Sequence, residues 1–144
     1  MKPGIKLEQK WFDEDITEFK VTVADGSSEF STDVYVSCDY LAKLVGDLCV
    51  FRDQIYGGLY DIEMGIFGPE YANGAFHARL HFYAPGKIGI STSQQTEFFE
   101  FADREVSAES KMYLRTEPVL LDNFITQLKL IKSGSSEEAE LACA

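Results

Sequence analysis

Apolar and polar side chains take turns in two early stretches. In Ile16–Val23, Phe19, Val21 and Val23 alternate with Glu18, Lys20 and Thr22; in Phe30–Val36, Phe30, Val34 and Val36 alternate with Ser31, Asp33 and Tyr35. A period of two sends each set to its own side of a strand, so both stretches read as half-buried strands. Between them Ala24-Asp25-Gly26-Ser27-Ser28 has the Asp-Gly chemistry of a tight turn, which predicts a hairpin.

The period then lengthens. Leu41, Leu44, Val45, Leu48 and Phe51 recur three to four residues apart, with Lys43, Asp47 and Arg52 facing outward, which predicts an amphipathic helix over 40–52 capped by Asp39. Alternation returns in Tyr60–Ile66. Beyond the loop signals Phe67-Gly68-Pro69 and Asn73-Gly74 it returns again in Phe76–Tyr83. A fifth strand is expected from Lys87 to past Phe98, with a bulge where Phe98-Phe99-Glu100-Phe101 breaks the alternation. Ser110–Thr116 makes a sixth. Thr116 then stands where an N-cap belongs and Pro118 in the first turn, and Leu120, Leu121, Phe124, Ile125, Leu128 and Ile131 form the stripe of a second helix over 118–132.

The order ββαββββα predicts an α+β fold in residues 1–132: one mostly antiparallel six-stranded sheet with both helices on the face carrying Phe19, Val21, Val34, Val36, Leu80 and Phe82. The other sheet face would be polar and open. Residues 133–144, a Gly/Ser hinge and an acidic tail, are expected to be loose or to add a short edge strand.

Length and composition fit this picture. A chain of 144 residues suits one domain, which at this size buries about 68–70% of its unfolded surface, and 45% hydrophobic residues with eleven Phe and seven Tyr supply the core. The net charge of −11 changes the picture more, and the three tail glutamates account for only part of it. Such a surface repels phosphate backbones and anionic lipid, so neither nucleic acid nor membrane is expected as a partner, while encounter with a basic protein is favoured. Met1–Lys10 lacks the apolar stretch of a signal peptide, and a cytoplasmic location is the expectation. Cys38 and Cys49 fall at opposite ends of the first helix, about 16 Å apart at its rise per residue, beyond disulfide reach. Reduced thiols follow.

Sites of known chemistry are hard to place. His77 and His81 have the spacing of a helical zinc motif, but Ala78 stands where the catalytic glutamate belongs, and on a strand the two imidazoles sit about 13 Å apart. Asp13, Glu14 and Asp15 lack the pattern of a calcium loop and read as a solvated strand entry, with Trp11 and Phe12 stapled onto the core. Ser91-Thr92-Ser93 lacks a nucleophile elbow, and no phosphate-binding or dinucleotide glycine loop occurs. No enzymatic activity and no cofactor or metal are therefore predicted. One surface stands out: if their strands share a sheet, His77, Arg79, His81 and Tyr83 point the same way as Lys111, Tyr113 and Arg115. Arg and Tyr favour the centres of protein interfaces. The competing reading is a solvated face whose cations pair with Glu18, Asp33, Asp61 and Glu63.

The segments Trp11–Val23, Thr32–Val36 and Pro118–Ile125 resemble a group of small bacterial proteins of uncharacterised function. In size, acidity and compact α+β make-up the chain is also similar to immunity proteins of bacterial toxin systems, which block a toxin by binding it. The resemblance implies a non-catalytic binding protein and carries no site residues. Two other readings stand beside it: a ligand-binding or enzymatic domain with a pocket between the first helix and loops 53–58 and 67–74, and a subunit that dimerises through an exposed sheet edge.

Overall fold

A computed structural model describes residues 2–144 as an α+β fold with mostly antiparallel sheets and two helices. The elements run β1 (Gly4–Phe12), β2 (Ile16–Ala24), β3 (Glu29–Ser37), α1 (Tyr40–Arg52), β4 (Leu59–Met64), β5 (Ala75–Ala84) and β6 (Lys87–Gln95). There follow β7 (Phe99–Phe101), β8 (Arg104–Val106), β9 (Glu109–Thr116), α2 (Pro118–Lys132) and β10 (Glu138–Ala142). Instead of one six-stranded sheet, ten strands form two four-stranded sheets, ordered β10-β1-β2-β3 and β4-β5-β6-β9, and a two-stranded ribbon β7-β8.

The six expected strands themselves divide, two into one sheet and four into the other, and two further strands complete the first although each is weak when read alone. β1 offers only Ile5 and Leu7 as inward apolar residues, and β10 only Ala139 and Leu141 between glutamates. Each forms because β1 pairs on both sides, with β2 and with β10, so backbone hydrogen bonds and four buried side chains reinforce one another. Of the two courses expected for the segment after the second helix, loose or a short edge strand, the chain takes the second, with β10 at the edge of its sheet. Trp11 and Phe12 are corrected too: at the outer end of β1 they are 41% and 66% exposed, not stapled onto the core. The fifth strand ends at Gln95, and the Phe98–Phe101 break marks a separate ribbon, not a bulge.

The inward faces of both sheets and the buried faces of both helices share one core, in which Phe19, Leu44, Leu80, Phe124 and Leu141 are at most 1% exposed. The helix limits match the periodicity, and Asp39 stands at the N-cap position of α1 as expected. Asp39 makes no side-chain cap and instead accepts from the Ser37 hydroxyl at 2.6 Å; Thr116 is not the second cap, which is Glu117. Thr116 instead donates to the Ala142 carbonyl at 2.8 Å, beside a backbone pair between Arg115 and Ala144 that joins β9 to the C-terminal strand.

The two sheets meet again at the other side. Gly74 N–H donates to the Asp33 carbonyl at 2.8 Å, and Thr32 Oγ1 to the Gln95 carbonyl at 3.1 Å. A Cβ on Gly74 would run into both Thr32 Oγ1 and Gln95 O, so only glycine permits this approach. Among the described residues no helix is long and apolar enough to cross a membrane.

Candidate functional site

Strand registry places the outward side chains of β4-β5-β6-β9 in rows. One row is Leu59, His81, Gly89 and Arg115; the next is Asp61, Arg79, Ser91 and Tyr113; the third is Glu63, His77, Ser93 and Lys111. All seven residues singled out from the sequence therefore share this neighbourhood, with Tyr83 next along β5 past a bulge. What the sequence reading missed is the strand between them. β6 presents Gly89, Ser91 and Ser93 outward, so the residues of β5 and β9 flank a low floor. The alternation of small residues in Gly89-Ile90-Ser91-Thr92-Ser93 was the available signal.

The row through Asp61 is partly self-satisfied. Arg79 donates from Nε to Asp61 Oδ1 at 2.8 Å and from Nη2 to Oδ2 at 3.0 Å, and His77 Nε2 lies 3.0 Å from Oδ1. The Arg79 hydrogen bonds, aided by His77, hold the Asp61 carboxyl below the usual carboxylate range. Of the four acids expected to neutralise this face, only Asp61 does so. Glu18 and Asp33 belong to the other sheet, where Asn73 donates to Glu18 and Lys10 pairs with Asp33 at 3.1 Å. Glu63 has no side-chain partner among the described residues, and neither has Lys111 nor Arg115.

The two ends of the face differ in shape. At one end a shallow hollow of about 280 Å³ is bounded by His81, Tyr83, Ser91, Tyr113 and Arg115. Gly89 creates it: a Cβ there would come within 2.7 Å of His81 Cε1, and His81 leans toward Tyr83 with ring centroids 6.2 Å apart. Tyr83 is 51% exposed and Tyr113 71%. At the other end the loop after β4 arches over the floor, tied down where Gly68 N–H donates to Gln95 Oε1 at 3.1 Å and Gln95 Nε2 donates to Glu109 Oε1 at 2.9 Å. Beneath Ile66 and Phe67 this leaves a cavity of about 930 Å³ whose floor carries Glu63, His77, Ser93 and Lys111.

Other expected positions resolve into structural roles. Asp13 Oδ1 accepts the backbone N–H groups of Asp15 at 2.8 Å and Ile16 at 2.9 Å, which closes the β1–β2 turn and lowers its pKa. Loop 53–58 bounds a hollow of about 340 Å³ with no residue of loop 67–74 in it. Among the described residues no three of His, Cys, Asp and Glu converge as metal ligands, and Cys38, Cys49 and Cys143 are free thiols. Comparison with family models, curated proteins and solved structures finds no match to this chain.

Proposed function

We propose that this chain is a non-catalytic binding protein, immunity-like in kind, that holds a protein partner on the outward face of β4-β5-β6-β9. The observation that supports it most is the lack of internal partners for Tyr113, Arg115 and Lys111 on a contiguous, registered face, beside a floor low enough to admit another chain. Tyrosine and arginine bring large area and oriented donors at little entropic cost, which is the chemistry of interface anchors. The partner's overall charge and its contact chemistry need not agree. A net charge of −11 speeds encounter with a basic protein, while Arg115 and Lys111 ask for carboxylates or carbonyls at the contact itself.

The experiment is affinity capture from the native lysate followed by measured binding of the captured protein to variants. Arg79→Ala combined with Tyr113→Ala should weaken binding at least about thirtyfold, as loss of an interface anchor does. Raised salt should slow association more than it speeds dissociation. Unchanged affinity in the double variant would move the site off this face. The cavity beneath Ile66 and Phe67 favours a second reading, a small-ligand site, because its volume lies in the range of ligand pockets. A bound metabolite released on denaturing the purified protein would support that reading instead.

A further inference from the structure

The loop between β4 and β5 is held over the sheet at its base and at its crest. Gly65, at φ 75°, approaches the Gly74 carbonyl so closely that a Cβ would collide with it, which fixes the base. The bonds from Gly68 to Gln95 and from Gln95 to Glu109 fix the crest. The cavity of about 930 Å³ beneath the loop is therefore part of the fold, and its size is that of a ligand site. Most polar groups in its lining already have side-chain partners: His77 lies 3.0 Å from Asp61, Ser110 accepts from Gln94 at 2.9 Å, and Glu109 accepts from Gln95 at 2.9 Å. Among the described residues the side chains of Glu63, Ser93 and Lys111 have none. Strand registry sets these three in one row across the floor, the carboxylate on β4, the hydroxyl on β6 and the ammonium on β9. Over them lies the apolar roof, Ile66 and Phe67.

Charge narrows what this lining accepts. An anion alone finds one cation, Lys111, against Glu63 and Glu109, and a cation alone leaves Lys111 unpaired. A neutral apolar molecule takes water from Glu63 and Lys111 without replacing it, which costs free energy for each charge left unpaired. We propose that the cavity binds a small zwitterion with an apolar body, its ammonium group at Glu63, its carboxylate at Lys111, a backbone amide at Ser93 and an apolar side chain against Ile66 and Phe67. Span decides its length. Glu63 and Lys111 stand three strand spacings apart, about 14 Å between backbones. One extended residue with a hydrogen bond at each end covers about 9 Å and two residues about 12–13 Å, so a dipeptide with free termini fits and a single amino acid falls short. The inference rests on the small-ligand reading of this cavity and names its ligand class. It is independent of Tyr113 and Arg115, which lie toward the other end of the face.

Isothermal titration calorimetry of the full chain with leucyl-phenylalanine and phenylalanyl-leucine tests it. At least one of the two should bind with a dissociation constant of about 1 mM or tighter. N-acetylation of that dipeptide and amidation of its C-terminus should each weaken binding at least about tenfold, as loss of one charge-assisted hydrogen bond does. Glu63→Gln should bind the dipeptide and its N-acetyl form alike, and Lys111→Gln the dipeptide and its amide alike, both variants keeping sharp thermal unfolding. Tyr113→Ala should behave as the wild type. Free leucine and free phenylalanine should bind more weakly than the dipeptide, and equal or tighter binding of either would overturn the assigned length. A wild type that binds neither dipeptide, capped and free forms that bind equally, or penalties for capping that persist in the matched variants would each overturn the proposal. If the dipeptides fail and the purified protein releases some other small molecule on denaturation, the zwitterion falls and the small-ligand reading stands. With neither binding nor release, both fall.

Discussion

The two four-stranded sheets bury similar inner faces and treat their outer faces in opposite ways. On β10-β1-β2-β3 most of the outward charged groups are paired, with Lys20 and Glu140 among the exceptions: Lys6 reaches Glu8 at 3.3 Å and Glu138 at 3.6 Å, Lys10 reaches Asp33 at 3.1 Å, and Thr22 and Ser31 share a hydrogen bond of 2.9 Å. Trp11 and Tyr35 meet edge to face with centroids 6.0 Å apart, on either side of Glu18, which Asn73 holds. On β4-β5-β6-β9 Asp61 pairs with Arg79 and His77 and Gln95 with Glu109, while among the described residues Lys111, Tyr113 and Arg115 of β9 have no side-chain partner. A closed outer face has little left to offer a partner. An open one retains its donors and its area, which is why the second sheet carries the functional proposal.

The largest way to break this comparison is to remove what makes the first sheet self-sufficient. Deleting Glu138–Ala144 takes away Ala139, Leu141 and the backbone link to Arg115, and should abolish sharp thermal unfolding. Leu141→Ala alone should cost about 2–5 kcal/mol in chemical denaturation, as other large-to-small core changes do. A deleted chain that still unfolds cooperatively would show that β10 is dispensable.

Gly89→Val sharpens the contrast at the open face. The new side chain would displace His81 from its place over the floor and fill the hollow between Tyr83 and Tyr113. Partner binding should fall at least tenfold, with stability lowered by about 1–3 kcal/mol as overpacking usually does. Breaking the closed face should do the reverse: Lys10→Ala leaves both stability and binding nearly unchanged, because an exposed pair contributes little. Calorimetry and a binding titration on the two variants separate the outcomes.

The smallest effect is the pH dependence of Asp61, the acid that pairs with Arg79 and His77 on the open face. Asp61 has its pKa depressed below the ordinary 3.8, so its contribution to stability is present above that value and is lost as the pH falls through the lowered one. Wild type should therefore exceed Asp61→Asn in stability near neutrality, and the difference should shrink below about pH 3.8, the ordinary carboxylate value. A difference that stays constant down to pH 2 would mean the Arg79 and His77 contacts do not discriminate the charged form.

Much of this was legible before the structure. The limits of both helices followed from their apolar spacing, and the outward direction of His77, Arg79, His81, Tyr83, Lys111, Tyr113 and Arg115 followed from a period of two. The strands β1 and β10 were not legible, because each stands on two inward apolar residues and the pairing between them joins opposite ends of the chain; nor was the division into two sheets, because alternation gives each strand its inward side and not the strand it pairs with. The cavity was hidden for a related reason. Its roof comes from a loop held by Gly68 and Gln95, a contact between residues 27 apart that no local pattern announces. The ribbon was mistaken for a bulge because broken alternation reads the same way whether a strand kinks or leaves its sheet.

The central claim is that the second sheet's outer face, and not the first's, meets a partner. Site-specific photo-crosslinking measures this most directly, with the crosslinker placed in turn at Tyr113, in the middle of the open face, and at Thr22, in the middle of the closed one. Irradiation of the native lysate should yield one saturable adduct from position 113, competed by unlabelled protein, and none from position 22. An adduct of equal yield from position 22, or a saturable adduct from that position alone, would contradict the account.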